Sequence, residues 1–127
     1  MHLEKRIEHE RLTRICFNDY NREIALVAEL KSGKEDEGEI IGVGRLSKLH
    51  KMNEGEFALL VNDKWQSLGL GHELLKQLIE IGRAEKLEHL SGRILADNHA
   101  MQHICKKLGF KMSLDDDKRT YTAQFVY

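Results

Sequence analysis

The sequence predicts an α/β protein of the α+β kind, and three observations carry that prediction. Short runs of β-branched and aliphatic residues recur along the chain. Three longer stretches carry apolar residues at helical spacing. In the second half the helical stretches alternate with the strand-like runs. The chain has 127 residues, 41% hydrophobic and 32% charged, which suits one domain spanning 1–127 around a single core.

Taken in order, Leu3 to Tyr20 sets Leu3, Ile7, Leu12, Ile15 and Cys16 at helical spacing among Glu, Lys and Arg, the pattern of an amphipathic helix on a core. REIALVAEL (22–30) and EIIGVGRLSKL (39–49) read as strands joined by the charged, glycine-containing connection KSGKEDEGE. In EGEFALLV (54–61) the apolar run becomes continuous, which predicts a central strand covered on both faces. Leu70 to Lys86 reads as a helix with Leu74, Leu75, Leu78, Ile79 and Ile81 inward, and Leu87 to Leu95 as the next strand. Asn98 to Leu108 reads as a further helix, its stripe formed by Ala100, Met101, Ile104, Cys105 and Leu108. Asn98 is a good N-cap and Gly109 stands where a left-handed stop belongs. Two strands around the acidic turn DDDK complete the chain, and the absence of proline fits a chain without a hinge.

Composition excludes several classes of function. Twenty basic against twenty-one acidic residues leave a net charge of -1, so no global field draws the chain to nucleic acid. No apolar run approaches the roughly 20 residues that cross a bilayer, and the charged N-terminus is not a secretory signal. The two cysteines, Cys16 and Cys105, form no metal-type or redox-type pair. A cytoplasmic protein without membrane or nucleic-acid partners is expected.

The chemistry concentrates in QSLGLG (66–71), where a strand-like run gives way to a helix. A helix start leaves backbone N–H groups unpaired at the positive end of its dipole, and glycines let a phosphate approach them. Gln66 and the amides of Ser67, Leu68, Gly69, Leu70 and Gly71 could cradle a diphosphate; simple turn chemistry explains the same spacing equally well. The P-loop sequence and the third glycine of a dinucleotide fingerprint are both missing.

The string VNDKWQSLGLGHELL (61–75) resembles the acyl-CoA-binding motif of the GNAT acetyltransferases: Gln or Arg, two free positions, Gly, one free position, then Gly or Ala. Asn98 and KKLGF (106–110) resemble the same superfamily's downstream block. Within it, HERLTRICFNDYNREIALVAEL, GVGRLSKLH, EFALLVNDKWQSLGLG and NHAMQHICKKLGF are similar to the protein-lysine acetyltransferase domains that end bacterial chains carrying an acyl-CoA-synthetase-like region.

The resemblance implies a mixed, mostly antiparallel sheet flanked by helices. It also implies transfer of an acetyl group from acetyl-CoA to an amine, most simply a protein lysine, by direct attack in a ternary complex. Backbone groups of Leu59, Leu60 and Val61 would pair with the pantetheine arm, Gln66 to His72 would hold the pyrophosphate, and Asn98 would lie near the arm. Glu56 matches the branch's catalytic glutamate. Period-two alternation puts it on one face with Glu54, Ala58 and Leu60, and its position in an apolar strand is expected to desolvate it. Glu54 is the reserve base. Where many family members carry a tyrosine as general acid this chain has Cys105, which could donate a proton or merely pack, leaving the task to water.

Other residues carry less. His99 and His103 are four apart on one helix, but no third ligand accompanies them, so no metal is expected. Trp65 reads as a packing or rim residue, and the turn Asp115 to Asp117 as a solvated hairpin tip that could also meet a basic acceptor. The family's usual first strand and helix are expected to be lacking, which would leave the strand Glu23 to Leu30 with an open edge. Self-association, a partner, or the rest of a longer chain would then cover it. A non-catalytic acyl-CoA-binding regulatory module and a small-molecule amine acetyltransferase are the alternative readings.

Overall fold

The computed structural model describes residues 10–18, 23–30, 39–49, 53–61 and 69–127. They form β1 (Glu10–Asn18), β2 (Glu23–Leu30), β3 (Glu39–Lys48), β4 (Glu54–Val61), α1 (Leu70–Ala84), β5 (His89–Leu95), α2 (His99–Lys107), β6 (Lys111–Leu114) and β7 (Thr120–Val126). One seven-stranded sheet results, in the order β1-β2-β3-β4-β5-β7-β6. Every neighbouring pair is antiparallel except β4 and β5, which are parallel and joined by the crossover through α1.

The first expected helix is a strand over residues 10–18, while 3–9, 19 and 20 lie outside the described residues. The apolar spacing suggested a helix, but Thr13, Ile15 and Phe17 favour extended backbone, and β2 offers a full ladder from Glu10↔Leu30 to Cys16↔Ile24. The open edge expected on β2 does not exist: β1 pairs with one side of it and β3 with the other. The need for self-association to cover that edge disappears with it.

β4 also departs from expectation. It is central in the sheet, but Gly55 and Phe57 are buried while Glu56, Ala58 and Leu60 are exposed, so only one face is covered. The continuous apolar run misled because Ala58 and Leu60 are apolar residues on the outer face.

The inner face carries the core. Leu70, Leu74, Leu75 and Leu78 of α1 are fully buried on Ile24, Leu26, Ile41 and Leu46 of the sheet. Beside them an aromatic chain runs from Phe57 to Phe110 at 5.3 Å between centroids, on to Phe125 at 5.4 Å and to Tyr127 at 4.9 Å. Tyr127 donates its hydroxyl to the Ile79 carbonyl at 2.8 Å and its backbone N–H to the Glu88 carbonyl at 3.0 Å, fastening the C-terminus to α1 and the start of β5. Burial pushes the Tyr127 phenol up to about 12, against the opposing pull of the Arg83 cation and with a smaller push from Glu80.

Gly82 lies under that phenol. A Cβ there would sit 2.1 Å from Tyr127 Oη and 3.0 Å from Tyr127 Cζ. In an exposed helix Gly→Ala would stabilise by about 1 kcal/mol. Here Gly82→Ala should instead destabilise by on the order of 2 kcal/mol, because it dislodges Tyr127. In a Tyr127→Phe background, where the nearest obstructing atom is gone, the penalty should shrink. Urea denaturation of the four variants of this cycle measures the coupling, and additive effects would contradict the packing described.

Candidate functional site

The site begins where two strands part. β4 and β5 pair at Glu54↔His89, Gly55↔Leu90 and Glu56↔Ser91 only. Beyond that rung β4 keeps its pairing with β3 as far as Val61↔Gly42, and β5 keeps its pairing with β7 as far as Leu95↔Thr120. On the inner side the Phe57 ring fills the space over Gly92, where a Cβ would fall 2.5 Å from the ring.

The gap is a cleft lined by Leu59, Leu60 and Val61 on one wall, by Asn98, Ala100, Met101 and Ile104 on the other, and by Gly71 at its inner end. Beyond Glu56 no described strand pairs with β4 on this side. A strand edge presents backbone donors and acceptors, so an extended molecule bearing amides can add along it as a further strand would.

At the end of this cleft α1 begins. Its N-cap is Gly69, at φ 85 in the left-handed region, and among the described residues no side chain caps the first turn. The Gly69 carbonyl accepts from the Glu73 N–H at 3.1 Å, which starts the helix regularly, and Leu70 is fully buried and anchors it. The first-turn amides of Leu70, Gly71 and His72 lie at the positive end of a 15-residue helix, suited to an anion. Gly71 also lets the helices close: a Cβ there would lie 3.3 Å from Ile104 Cδ1. Trp65, Gln66, Ser67 and Leu68 lie outside the described residues.

Asn98 caps α2, its Oδ1 accepting from the Met101 N–H at 3.1 Å, and it lines the cleft as well. Gln102, which sequence reasoning missed, is the buried polar side chain of the described core. Its Nε2 donates to the carbonyls of Leu95 at 3.1 Å and Ala96 at 2.9 Å, tying α2 to the end of β5. A polar residue on a helix's apolar stripe is the signal that could have revealed it.

Glu56 stands at the last rung before the strands part, on the outer face with Glu54, Ala58 and Leu60 as expected. It is exposed, where the sequence predicts a covered position. Glu54 lies on the first rung and faces His89, its Oε1 3.7 Å from Nδ1.

Cys105 is displaced from the expected role by its surroundings. Its side chain is fully buried in the core and is not among the residues lining the cleft. Burial pushes its thiol up to about 12, which keeps it protonated and unreactive. His99 and His103 are exposed, and no metal-type cluster of His, Cys, Asp and Glu occurs among the described residues.

The turn after β6 is more organised than a solvated tip. Asp115 accepts from the hydroxyls of Thr120 at 2.6 Å and Thr122 at 2.7 Å and from Arg93 at 3.3 Å. The two threonine hydrogen bonds, and after them Arg93, hold its carboxyl below the ordinary range, outweighing its partial desolvation. Asp117 caps the turn, accepting from the N–H groups of Arg119 and Thr120.

Comparisons with known proteins agree with this architecture. Residues 2–111 match the family model described as the acetyltransferase (GNAT) domain. Acetyltransferase PA5475 of Pseudomonas aeruginosa is 30% identical over 104 residues, which cover 80% of this chain and 54% of that protein. The chain thus spans about half the length of this curated relative. The GNAT domain of S. lividans PAT superposes with a TM-score of 0.72 at 20% identity, covering 87% of this chain and 64% of that one. The Salmonella typhimurium yncA structure, a putative acetyltransferase with its cofactor acetyl-CoA, superposes with a TM-score of 0.66 at 19% identity, covering 82% and 64%.

The lowered Asp115 carboxyl has a measurable consequence. Its ionised form is favoured by folding, so its contribution is complete above the unfolded value of about 4 and is lost as pH falls through the lower folded value. Asp115→Asn should therefore lower Tm at pH 7 and flatten the fall of Tm below about pH 4. Parallel slopes for the two proteins would contradict the network. Cys105, for its part, should resist iodoacetamide at pH 8 in the native protein and react on unfolding, as peptide mass mapping reads directly.

Proposed function

The chain belongs to the GNAT acetyltransferase family, and we propose that residues 1–127 act as one domain transferring an acetyl group from acetyl-CoA to the side-chain amine of a protein lysine. The observation that carries this reading is the cleft between β4 and α2, which opens where β4 and β5 part, with an edge of strand along one wall and a glycine-opened helix start at its end.

In this reading the pantetheine arm lies along Leu59, Leu60 and Val61 as an added strand, with Asn98 across from it. The pyrophosphate rests on the first turn of α1, at Gly69, Leu70, Gly71 and His72, with Gln66, Ser67 and Leu68 leading into it. The thioester then comes to lie near the last β4–β5 rung, beside Glu56.

A lysine ammonium, with a pKa of about 10.4, must lose a proton before it can attack. Glu56 takes that proton directly or through one water, a contribution of about 10² to 10⁴ in rate. The amine nitrogen bonds to the thioester carbonyl carbon, the tetrahedral intermediate loses the nitrogen's second proton to water and collapses, and the carbon–sulfur bond breaks to release CoA thiolate. Cys105 is walled off in the core, so water supplies the thiolate's proton in this scheme.

The exposure of Glu56 favours one second reading, a module that binds acyl-CoA without transferring the group. One variant separates the two. Glu56→Gln should leave acetyl-CoA affinity intact and cut turnover at least about tenfold. Unchanged turnover would remove Glu56 from the mechanism. Mass spectrometry of a lysate incubated with the protein and acetyl-CoA should show new acetyl-lysines; tight acetyl-CoA binding with no transfer to any amine would establish the binding module.

A further inference from the structure

The outer face of the sheet carries charge that acetyl transfer by itself does not require. Two cavities meet at Glu56, Phe57 and Ala58, one on each side of β4. The first reaches Arg93 on β5 and the second reaches Arg45 on β3. Arg45 is the β3 partner of Ala58, and Arg93 lies two residues past Ser91, the β5 partner of Glu56. Both arginines therefore share the outer face with Glu56, one alternation step nearer the cleft, on opposite sides of β4. Strands lie about 4.8 Å apart, so their Cα atoms stand roughly 10 Å apart or slightly more where β5 has begun to diverge.

Each guanidinium is tethered without being used up. Arg45 Nη2 pairs with Glu23 Oε1, and Arg93 Nη2 pairs with Asp115 Oδ2 at 3.3 Å, where Asp115 is held by Thr120 and Thr122. The Arg45 and Arg93 side chains remain 55% and 70% exposed. A guanidinium offers five N–H donors in a planar fork, and these ion pairs engage a single nitrogen of each. Exposed ion pairs add little to stability, so stability gives no strong reason for placing two of them on either side of Glu56. A tether that orients a fork while leaving donors open is what recognition of an incoming carboxylate needs.

The geometry points to Arg45 and Arg93 as the residues that select the acceptor, binding carboxylates on either side of the attacking amine, so that the preferred acceptor is a lysine flanked by acidic residues in an extended segment. This rests on the lysine-transfer reading above. Two side chains four residues apart in an extended chain point the same way, with the side chain midway between them, and stand about 13 Å apart, within reach of two long arginine side chains whose Cα atoms are roughly 10 Å apart. The lysine between them then meets the opposite charge, Glu56, while a lysine among basic neighbours meets repulsion from both sides.

The test compares a peptide with the core Glu-Ala-Lys-Ala-Glu to its neutral counterpart Gln-Ala-Lys-Ala-Gln, measuring both binding to the CoA-loaded protein and acetylation with acetyl-CoA. The acidic peptide should bind and react at least about tenfold better at low salt, with the advantage falling as salt rises. In an Arg45→Gln, Arg93→Gln double variant that advantage should fall below about threefold while CoA affinity is unchanged. Equal binding of the two peptides to the native protein, binding of neither, or an advantage that survives the double variant would each overturn the selection. Discrimination in binding without transfer to either peptide would uphold the selection and overturn the lysine-transfer reading. Equal transfer to both would do the reverse.

Discussion

The parting of β4 from β5 after three rungs is the constraint on which the site depends. A parallel pair that stayed zipped to the end would spend the backbone groups of Leu59 to Val61 on a neighbouring strand and leave no cleft. Past the third rung β4 follows β3 and β5 follows β7 to their ends. The opening is then bounded by α2 along its other wall and by the start of α1, where Gly71 meets Ile104 of α2.

The two faces of the sheet divide the work by polarity. The inner face is apolar and carries both helices and the aromatic chain that secures the C-terminus. The outer face bears Glu23, Arg45, Glu54, Glu56, His89 and Arg93, with Arg45 paired to Glu23, His89 facing Glu54 and Arg93 paired to Asp115. Because side chains alternate along each strand, the residues that build the core and those that face an acceptor interleave one by one. Phe57 and Glu56 are adjacent in the chain and serve opposite faces.

Much of this was legible in the sequence, and the failures have physical causes. The helices α1 and α2 and the strands after Glu39 were readable because each has a clear period and clear punctuation, such as Asn98 before α2 and Gly109, at φ 98, after it. Residues 10–18 were misread because isolated apolar spacing fits a helix, whereas the strand is selected by the ladder that β2 supplies. Glu56 was assigned its face correctly but not its exposure, since a run such as FALLV looks covered on both sides when Ala58 and Leu60 stand outside. Cys105 held a position suggestive of chemistry, and only packing revealed it as core.

By itself the sequence determined the order and kind of most elements and the glycines at the start of α1, because these follow from local spacing and backbone freedom. Tertiary structure alone decided where β4 and β5 separate, that Arg45 and Arg93 stand on either side of Glu56, and that Asp115 is tied to Thr120, Thr122 and Arg93. Those relations join residues far apart in the chain, as Arg93 and Asp115 are at 22 positions, or are set by the turn and register of neighbouring strands. The choice between one pairing and another is made by how the whole sheet packs on its helices, which no single stretch of chain encodes.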